Sequence, residues 1–469
     1  MSEPKYDLAI IGAGAAGLIA ADFAVKLGAR VALLEKDRIG GDCTWTGCVP
    51  SKSLIKVASV AQNVRTAAQY GIDSGSVVTD MSRVRDYLRS TIEHIYAPTM
   101  PDVLRSKGMD VFMGAVSFVD AHILQTGAGR IYAKKILIST GAHPRLPELA
   151  GLAQVPYFTY LQIFENDRLP RRMTVVGGGP IGCEVAQAYC RLGAQVTVVA
   201  EKLLPREDDE ISRVLEAVFA AEGIERRAAR ATAVRRDGQT IVVPTQVGEV
   251  AGDLLFVATG RSPAVEGLNL DAAGIEHSPG GIRVNRYLQT SARHIFAAGD
   301  VIGGPQYSHL AGWQAFQATR NALLPGRSFG IPKAMPRVTF TSPEVAQVGL
   351  TEREARARYG DALRIDSLDL GKVDRAVSEG DRRGFLKIIA HPCGRVKGAA
   401  IVGERASEAI TELVMAIQRG IKLQDIAGIV HPYPTYSIGV QFLVTKMAMD
   451  ATFHGPKGKL LRIVSRLYR

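Results

Sequence analysis

The stretch Tyr6-Asp-Leu-Ala-Ile-Ile-Gly-Ala-Gly-Ala-Ala-Gly17 decides the fold of the first part of the chain. Residues 6–11 have the apolar composition of a buried parallel strand, and a helical pattern follows to about Leu27. A second apolar strand over residues 30–34 ends at Glu35. This order of strand, glycine-rich turn, helix and strand predicts a complete βαβ unit.

Three glycines and one carboxylate give this unit its binding chemistry. Gly12 permits a tight turn, Gly14 lets the backbone approach a pyrophosphate, and Gly17 lets the helix pack closely on the strand. The N-terminus of the helix faces the phosphates, and Glu35 can accept a hydrogen bond from a ribose hydroxyl. The pattern therefore predicts a dinucleotide-binding domain.

The same pattern occurs a second time in the middle of the chain. A strand over residues 173–176 precedes Gly177, Gly179 and Gly182, and a helix and a second strand over residues 195–199 follow. A single glycine fingerprint is weak support for nucleotide binding. Two complete βαβ units in one chain predict two nucleotides bound on two domains.

Further turns end other predicted strands. Thr140 and Gly141 follow one strand, Gly260 follows another, and a third strand ends at Asp300. Each of these could be an ordinary strand-to-loop turn. Because they follow the two βαβ units in order, we interpret them as parts of the nucleotide sites.

Two cysteines, Cys43 and Cys48, lie just after the first βαβ unit, within the segment from Gly40 to Lys52. Pro50 is typical of the first turn of a helix, which we expect to continue through residue 68. Cys48 then lies beside a helix N-terminus, where the helix dipole favours a thiolate. The spacing allows both sulfurs to meet in one turn.

Neither a metal site nor a structural disulfide accounts well for this cysteine pair. A metal site would need more ligands, and Cys183, Cys190 and Cys393 form no matching second pair, so we expect no resident metal. Cys183 and Cys190 lie on one predicted helix and are interpreted as packing residues. A purely structural disulfide is poorly motivated in a reducing cytoplasm. Beside a dinucleotide fingerprint, a redox-active disulfide explains the pair best.

Composition limits the remaining possibilities. The chain has 469 residues, which is too long for a single ordinary core and predicts several domains. Its net charge is +11, but basic and acidic residues are interleaved, so we expect no nucleic-acid partner. We find no signal-peptide pattern and no long apolar run that would predict a membrane span. The five cysteines favour a cytoplasmic protein over a disulfide-rich secreted one.

The pattern changes from about Pro332, where an α+β domain without a nucleotide fingerprint begins. The predicted strands are residues 337–350, 363–370, 384–390 and 396–403. The predicted helices are residues 351–359 and 405–419. The end of the chain, residues 456–469, is a short basic amphipathic stretch. We interpret it as a solvated terminal helix in preference to a membrane-surface contact.

Taken together, these motifs resemble those of the class I pyridine nucleotide-disulfide oxidoreductases, which include dihydrolipoamide dehydrogenase, glutathione reductase and mercuric reductase. The resemblance covers roughly residues 5–445. It implies an α/β fold with two Rossmann-like dinucleotide-binding domains, for FAD and for NADH or NADPH, and a C-terminal α+β dimerisation domain that makes a homodimer. The implied divisions are residues 1–150 and 271–332 for FAD, 151–270 for NAD(P)H, 333–446 for dimerisation and 447–469 as a basic tail.

The resemblance also assigns roles to individual residues. The residue that matches Cys48 lies against the flavin and forms a charge-transfer pair with it, and the match to Cys43 attacks the acceptor. Lys52 and Glu184 match an ion pair near the flavin N5. Asp300 matches the aspartate that contacts the FAD ribitol.

One C-terminal segment departs from the family pattern. Disulfide-reducing members carry His-Pro-Thr-x-x-Glu, whose histidine serves the partner subunit as a proton shuttle. Alignment on Pro434-Thr435 places Tyr433 at the histidine position and Ile438 at the glutamate position. An imidazole titrates near pH 6.5 and a phenol near 10, so Tyr433 cannot be the same base. His431 lies two residues away and is a candidate substitute base, with local packing as the alternative.

The sequence therefore predicts a mercuric-reductase-like enzyme that passes electrons from NAD(P)H through FAD and the Cys43–Cys48 pair to a disulfide, metal ion or quinone. Mercuric reductases resemble it in carrying a tyrosine at this position, but they end in a vicinal cysteine pair, and this sequence has no cysteine after Cys393. The alternatives are a dihydrolipoamide dehydrogenase, which the missing histidine and glutamate disfavour, and a redox-sensing flavoprotein with little turnover.

The second βαβ unit ends at a carboxylate that bears on the choice of nicotinamide cofactor. Glu201 can accept from a free ribose 2′-hydroxyl and would repel a 2′-phosphate, while Lys202 partly offsets that repulsion. NADPH-using relatives carry an arginine in its place. We therefore expect NADH in preference to NADPH.

Overall fold

The structure is a computed structural model that describes residues 6–453 and 456–469. Its helices are α1 (Ala15–Lys26), α2 (Gly41–Trp45), α3 (Cys48–Thr66), α4 (Met81–Tyr96), α5 (Pro101–Ser106), α6 (Pro180–Leu192), α7 (Asp209–Ala221), α8 (Ser308–Leu323), α9 (Glu352–Tyr359), α10 (Asp374–Ser378), α11 (Ala406–Arg419), α12 (Leu423–Ala427), α13 (Ile438–Phe453) and α14 (Pro456–Leu467).

Strands make up most of the remaining regular structure. They are β1 (Tyr6–Ile11), β2 (Val31–Glu35), β3 (Met109–Met113), β4 (Ser117–Phe118), β5 (Ile123–Thr126), β6 (Gly129–Ile138), β7 (Ala142–Pro144), β8 (Arg172–Val176), β9 (Gln195–Val199), β10 (Glu225–Arg227), β11 (Arg235–Asp237), β12 (Thr240–Thr245), β13 (Gly248–Gly252), β14 (Leu254–Val257), β15 (Arg261–Pro263), β16 (His277–Ser278), β17 (Gly281–Ile282), β18 (Ile295–Ala297), β19 (Arg337–Thr339), β20 (Glu344–Gly349), β21 (Arg364–Asp369), β22 (Phe385–Ala390) and β23 (Val396–Gly403).

The chain forms two compact units. The first unit contains the described residues up to Gly177 together with Ala188–Val199 and Ala229–Ile331. The second unit contains Gly178–Gln187, Ala200–Ala228 and the described part of Pro332–Arg469. Among the helices of residues 6–453 and 456–469, none is both long and apolar enough to cross a membrane.

The largest sheet of the first unit has the strand order β3-β2-β1-β6-β5-β4, and β18 pairs with β6. Strand β1 runs parallel to both neighbours, with Leu8 opposite Val31 on β2 and Lys135 on β6. Its side chains are almost all buried, which is typical of a parallel strand covered on both faces. Because β1, β2, β6 and β18 are parallel, their carboxyl ends meet at one edge, where Glu35 and Asp300 follow their strands.

Helix α1 lies on this sheet and helix α8 lies against α1. The buried face of α1 is made of small residues, including Ala16, Ala20 and Ala24, which allow close packing on the sheet. A Cβ atom on Gly312 of α8 would lie 2.5 Å from the Cδ1 of Ile19, so the two helices also approach closely. This packing fixes the N-terminus of α8 in the first unit.

The second predicted βαβ unit is confirmed. Strand β8 pairs in parallel with β9 and with β14, and α6 connects β8 to β9. The predicted strand over residues 195–199 matches β9, and the predicted end of the helix near Leu192 matches the end of α6. The small antiparallel sheet β11-β12-β13 completes this part of the first unit.

The second unit is built on an antiparallel sheet with the order β19-β20-β23-β22-β21. Apolar side chains of this sheet form a core with α11, α12 and α13. The prediction of one strand over residues 337–350 was wrong, because residues 340–343 separate β19 from β20. Pro343 lies in this break, and a proline has no N–H to donate to a strand ladder.

Two predictions concern the end of the chain. Helix α13 continues to Phe453, so the proposed boundary at residue 447 lies inside a helix. The basic stretch does form the predicted terminal helix, α14.

Candidate active site

The cysteine pair lies at the junction of two helices in the first unit. Cys43 belongs to α2, and Cys48 is the first residue of α3, which confirms its predicted place at a helix N-terminus. At Gly47, between the helices, a Cβ would lie only 2.7 Å from the backbone oxygen of Asp42. This close approach lets a hydrogen bond join Cys43 to Cys48, and both sulfurs are free thiols.

The two thiols do not have equivalent surroundings. The hydrogen bond to Cys48, followed by burial, raises the pKa of Cys43 well above the ordinary thiol range, while Ser308 and Lys52 act in the opposite direction. The hydrogen bond is the largest of these influences, and it favours the proton on Cys43 and the negative charge of the reduced pair on Cys48. The family resemblance implies the charge-transfer role for Cys48, and that role stays a prediction.

Ser308 is a site residue that the sequence did not predict. It is the first residue of α8, and its Oγ lies 3.3 Å from the Sγ of Cys48. Cys48 therefore lies beside the N-termini of both α3 and α8, and both helix dipoles favour a negative sulfur. The sequence did contain one indication of this site, because Ser308 is a serine at the expected start of a helix soon after the turn at Asp300.

Replacing Ser308 by alanine should weaken this stabilisation of the thiolate. A hydrogen bond to a charged group contributes about 1.5–3 kcal/mol, so the midpoint of the pH titration of the reduced pair should rise by about one unit or more. The long-wavelength absorbance of the reduced holoenzyme as a function of pH measures this midpoint. Ser51→Ala is the matched control, because the Ser51 hydroxyl donates to the backbone oxygen of Cys48. An unchanged midpoint in Ser308→Ala would refute the assigned contact.

The first glycine turn leaves bare backbone at the N-terminus of α1. Gly12 has a φ of +97°, and a Cβ there would lie 2.5 Å from the backbone oxygen of Ser139. A Cβ on Gly17 would lie 1.9 Å from the oxygen of Gly12, which confirms the expected close packing of helix and strand. Gly14 and Gly41 also face each other closely, since a Cβ on Gly41 would lie 2.9 Å from the Cα of Gly14.

Glu35 and the start of α1 complete this turn. The Oε2 of Glu35 accepts a hydrogen bond of 2.7 Å from the backbone N–H of Ala13, and its Oε1 accepts one from Asp37. Gly14 provides no side-chain cap for α1, and no acidic residue lies in the first turn of the helix. The first N–H groups of α1 are thus left for an anionic ligand.

A cluster of charged and polar side chains surrounds Asp300 at the carboxyl edge of the large sheet. The Nη1 of Arg261 lies 2.9 Å from the Oδ2 of Asp300, and the hydroxyl of Tyr160 donates to Asp42 over 2.9 Å. Burial raises the pKa of both carboxyl groups, and the charge of Arg261 partly offsets this. The sequence identified Asp300 but not its three companions, because residues far apart in the chain bring them together.

The turn at Thr140 and Gly141 and the turn at Gly260 lie side by side. Strands β7 and β15, which follow these turns, pair in an antiparallel manner. The hydroxyl of Thr140 donates to the oxygen of Ala264 over 2.7 Å, and the N–H of Ala264 donates to Gly141. The two turns are therefore one structural element, whereas the sequence indicated only that they have the same form.

In the second βαβ unit, Gly177 makes the tight turn after β8. Its φ is +122°, and a Cβ would lie 2.3 Å from the backbone oxygen of Ala258. The sequence analysis did not identify Gly178, but a side chain is excluded there too. A Cβ on Gly178 would lie 2.4 Å from the backbone oxygen of Lys202. Gly179 has open space around its Cβ position, and Gly182 lies within α6.

Cations close to Glu201 already interact with carboxylates. Lys202 forms an ion pair with Asp209. The guanidinium of Arg226 donates to the backbone oxygen of Glu201 over 2.8 Å and lies 3.3 Å from Glu216. This arrangement weakens the ability of Lys202 to offset the repulsion between Glu201 and a 2′-phosphate.

The preference for NADH should therefore depend on Glu201. We expect a higher kcat/KM with NADH than with NADPH, and Glu201→Arg should shift the ratio toward NADPH by about 10–100-fold, since a charge-assisted hydrogen bond is worth about 1.5–3 kcal/mol. Steady-state kinetics with both cofactors measure the ratio. Glu276→Arg makes the same charge change at another exposed position and should leave it unchanged. A native preference for NADPH would contradict the assignment.

Lys52 belongs to the first compact unit and Glu184 to the second. Lys52 is one helical turn after Cys48 in α3, where its charge acts to lower the pKa of Cys43. Glu184 is buried in α6, and its Oε1 accepts a hydrogen bond of 2.8 Å from the N–H of Phe340. The ion pair between Lys52 and Glu184 stays a prediction.

His431 is held by its own chain in the second unit. Its Nε2 lies 2.8 Å from the Oε2 of Glu412, and its Nδ1 lies 3.1 Å from the backbone oxygen of Ile429. Only 6% of its side chain is exposed. Both ring nitrogens therefore have partners within the second unit. The geometry therefore favours local packing over the role of substitute base.

Tyr433 is exposed but its hydroxyl is engaged. The side chain is 66% exposed, and the hydroxyl donates a hydrogen bond of 2.6 Å to the Oδ2 of Asp374. This bond and the carboxylate charge raise the pKa of Tyr433 above the ordinary phenol value. Tyr433 therefore holds its proton even more firmly than a free tyrosine, and it cannot act as a base near neutral pH.

The other cysteines lie outside this arrangement. Cys183 is fully buried, as predicted, whereas Cys190 is only half-buried and Cys393 is exposed. Within residues 6–453 and 456–469, no three histidine, cysteine, aspartate or glutamate side chains are placed to hold a metal ion.

Comparison with known families agrees with this site. A model described as pyridine nucleotide-disulphide oxidoreductase matches residues 6–315, and one for the dimerisation domain of the same family matches residues 335–442. The chain belongs to this family. It is therefore a FAD-dependent NAD(P)H disulfide oxidoreductase, which confirms the predicted family, fold class, enzyme class and cofactors.

Individual relatives cover almost the whole chain. Mercuric reductase from Lysinibacillus sphaericus is 33% identical over 466 residues, which cover 96% of this chain and 84% of that protein. Dihydrolipoyl dehydrogenase from Bacillus subtilis is 33% identical over 444 residues, which cover 92% of this chain and 96% of that protein. The structure of the HOCl-induced flavoprotein disulfide reductase RclA from Escherichia coli matches with a TM-score of 0.85 and 27% identity, covering 94% of this chain and 99% of that one.

The first glycine turn fits the FAD that the family uses. The bare backbone at Gly12 and Gly14 and the uncapped start of α1 suit a pyrophosphate, and Glu35 is held in position beside them. Asp300 stands at the same sheet edge, after β18. These residues would hold the cofactor close to the segment that carries the cysteine pair.

Proposed function

We propose that this oxidoreductase reduces a metal ion or a quinone through the Cys43–Cys48 pair, and reduces small disulfides such as lipoamide only weakly. The observation that carries this proposal is the hydrogen bond from Tyr433 to Asp374, which keeps a proton on the residue that stands in the place of the family's histidine. Reduction of a disulfide needs a group that exchanges protons with the leaving thiolate. Neither Tyr433 nor His431 is placed to do so.

The chain's own residues have distinct tasks in this reaction. FAD, when bound, supplies the two-electron transfer between the nicotinamide and the cysteine pair. Two electrons convert the Cys43–Cys48 disulfide into a dithiol, and two protons balance the charge. Ser308 and the N-termini of α3 and α8 stabilise negative charge on Cys48, while Cys43 retains its proton.

A soft metal ion matches this dithiol. Thiolate ligands select soft ions, and metal binding displaces the proton that Cys43 holds. The Cu(II) complex of RclA matches this chain with a TM-score of 0.84 and 27% identity, which favours copper as one ion to test. The mercuric reductases among the relatives make mercury another.

A panel of acceptors tests the proposal. With NADH and the FAD-loaded enzyme, kcat/KM for Hg(II), Cu(II) or a quinone should exceed that for lipoamide and glutathione disulfide by about 10²-fold or more. A lipoamide rate equal to the best of the others would favour a dihydrolipoamide dehydrogenase. Negligible turnover with every acceptor would favour a redox-sensing flavoprotein.

We also propose that the enzyme is a homodimer in which Tyr433 faces Cys43 of the partner subunit. The dimerisation-domain match supports this, as do the exposed apolar side chains Met415, Phe442 and Met449 on α11 and α13. Light scattering with size exclusion at micromolar concentration should give twice the chain mass of 50.4 kDa. A monomer under these conditions would contradict the assignment.

The remaining assignments are also retained as proposals. We infer the domain divisions at residues 150, 270 and 332 from the family resemblance. The site roles of Lys52, Glu184, Thr140, Gly179 and Gly182 are inferred in the same way. A cytoplasmic location follows from the cysteine content rather than from the fold.

A further inference from the structure

The terminal helix α14 exposes both its polar and its apolar side chains. It comprises Pro456–Leu467, and every residue from 459 to 469 is exposed. Leu460 is 62% exposed and Leu467 is 80% exposed, which is unusual for large aliphatic side chains. The sequence pattern favoured a solvated helix for this segment. In a solvated helix, however, a continuous apolar face would be exposed to water without any stabilising contact.

The two kinds of side chain lie on opposite sides of α14. At about 100° per residue, Leu460, Ile463 and Leu467 fall on one side of the helix, and Val464 lies next to them. Arg462 lies on the opposite side. Within α14 the apolar face is Leu460, Leu461, Ile463, Val464 and Leu467, and the basic arc opposite to it is Lys459, Arg462 and Arg466.

The charge of the segment has one sign only. Residues 456–469 contain five basic residues, Lys457, Lys459, Arg462, Arg466 and Arg469, and no acidic residue. The surface that covers this helix must therefore be anionic on the outside and apolar beneath. The interface of a bilayer with anionic lipids has this layered chemistry, and helices with such faces lie in its plane.

Two other binding partners would each complement only one of the two faces of α14. A nucleic acid would neutralise the arginines and leave the apolar side chains in water. Symmetric contact of α14 with the same helix of a second copy would bury the apolar face but bring two strongly basic helices together without counter-charges.

We propose that α14 binds the surface of an anionic lipid bilayer, with its apolar face in the acyl-chain boundary and its basic arc toward the headgroups. The helix lies flat on one leaflet and does not span the membrane. The inference does not depend on which acceptor the enzyme reduces.

Co-sedimentation of the full-length holoenzyme with lipid vesicles tests this proposal. The enzyme should bind vesicles of phosphatidylcholine with added phosphatidylglycerol, and bind pure phosphatidylcholine vesicles at least about tenfold more weakly. Binding should also weaken as salt is added. Leu460→Asp with Leu467→Asp should remove the apolar contribution, and Arg462→Glu with Arg466→Glu should remove the electrostatic one. Each pair should weaken binding by at least about tenfold.

Controls make the outcomes distinct. Arg283→Glu changes charge at an exposed position outside α14 and should leave vesicle binding unchanged. All variants should keep the activity of the native enzyme with a water-soluble acceptor, which shows that they fold. The proposal is overturned if the native enzyme ignores anionic vesicles, or if both double variants bind them as well as it does. A different result would be that the native enzyme does not bind vesicles and that the leucine replacements convert a dimer to a monomer. In that case α14 would contact a second copy of the chain instead of a membrane.

Discussion

Replacing Cys48 by serine is expected to abolish the long-wavelength absorbance of the two-electron-reduced enzyme and to reduce acceptor turnover by about 10³-fold or more. Cys48 begins α3 and has the Ser308 hydroxyl 3.3 Å from its sulfur, so it is the sulfur on which a negative charge is stabilised. The hydrogen bond to Cys48, followed by burial, raises the pKa of Cys43. Serine at position 48 removes the thiolate that we expect to interact with the flavin.

Cys43→Ser provides the sharpest contrast. It should abolish reduction of the acceptor to a similar extent but retain the long-wavelength band, because Cys48 can then form no disulfide with residue 43 and stays available as a thiolate. Cys393→Ser replaces an exposed cysteine outside the site and should change neither property. Absorbance spectra under anaerobic conditions and steady-state rates measure both effects. A band that survives in Cys48→Ser would show that the two sulfurs are assigned in the wrong order.

Tyr433→His is expected to raise lipoamide reduction by about 10²-fold, within the range of about 10²–10⁴ that general acid–base catalysis contributes. The replacement supplies an imidazole at the position from which the family's histidine serves the partner subunit. It also removes the phenol that Asp374 now holds through a hydrogen bond of 2.6 Å. Reduction of a metal ion or quinone should change far less, since those acceptors need no base for a leaving thiolate.

The companion replacement Ile438→Glu is expected to destabilise the fold. Ile438 is 5% exposed and packs in an apolar cluster with Leu370, Val373 and Tyr436, so a buried carboxylate there costs several kcal/mol unless it gains a partner. The single replacement is therefore the first test, and the double variant follows only with its thermal stability measured.

Two controls separate the possible outcomes at this position. Tyr433→Phe removes the hydroxyl without adding a base and should leave lipoamide reduction weak. His431→Ala should also leave it unchanged, because the ring of His431 is held by Glu412 and the backbone of Ile429. If His431→Ala instead abolishes lipoamide reduction and Tyr433→His does not improve it, His431 is the working base.

The sequence predicted the features that depend on local pattern. The bounds of β1, α1 and β2 and of β8, α6 and β9 followed from apolar periodicity and glycine spacing, and the start of α3 at Cys48 followed from Pro50. Gly12 and Gly177 were identified because a tight turn after a strand requires a positive φ, and both have one.

Contacts between distant parts of the chain could not be predicted in this way. Ser308 meets Cys48 across 260 positions of the sequence, and Tyr160 meets Asp42 across 118. Glu412 pairs with His431 only because α11 packs in the core of the second unit. Periodicity shows which face of an element is buried, but it does not show which side chains meet there.

We expect the first two electrons from NADH to come to rest on the Cys43–Cys48 pair. This can be measured by adding one equivalent of NADH anaerobically to the oxidised holoenzyme, recording the absorbance spectrum and counting thiols after denaturation. We expect a flavin that stays oxidised, a new long-wavelength band and two additional thiols. A bleached flavin with no new thiols after the first equivalent would show that the electrons stay on the flavin and do not reach the cysteine pair.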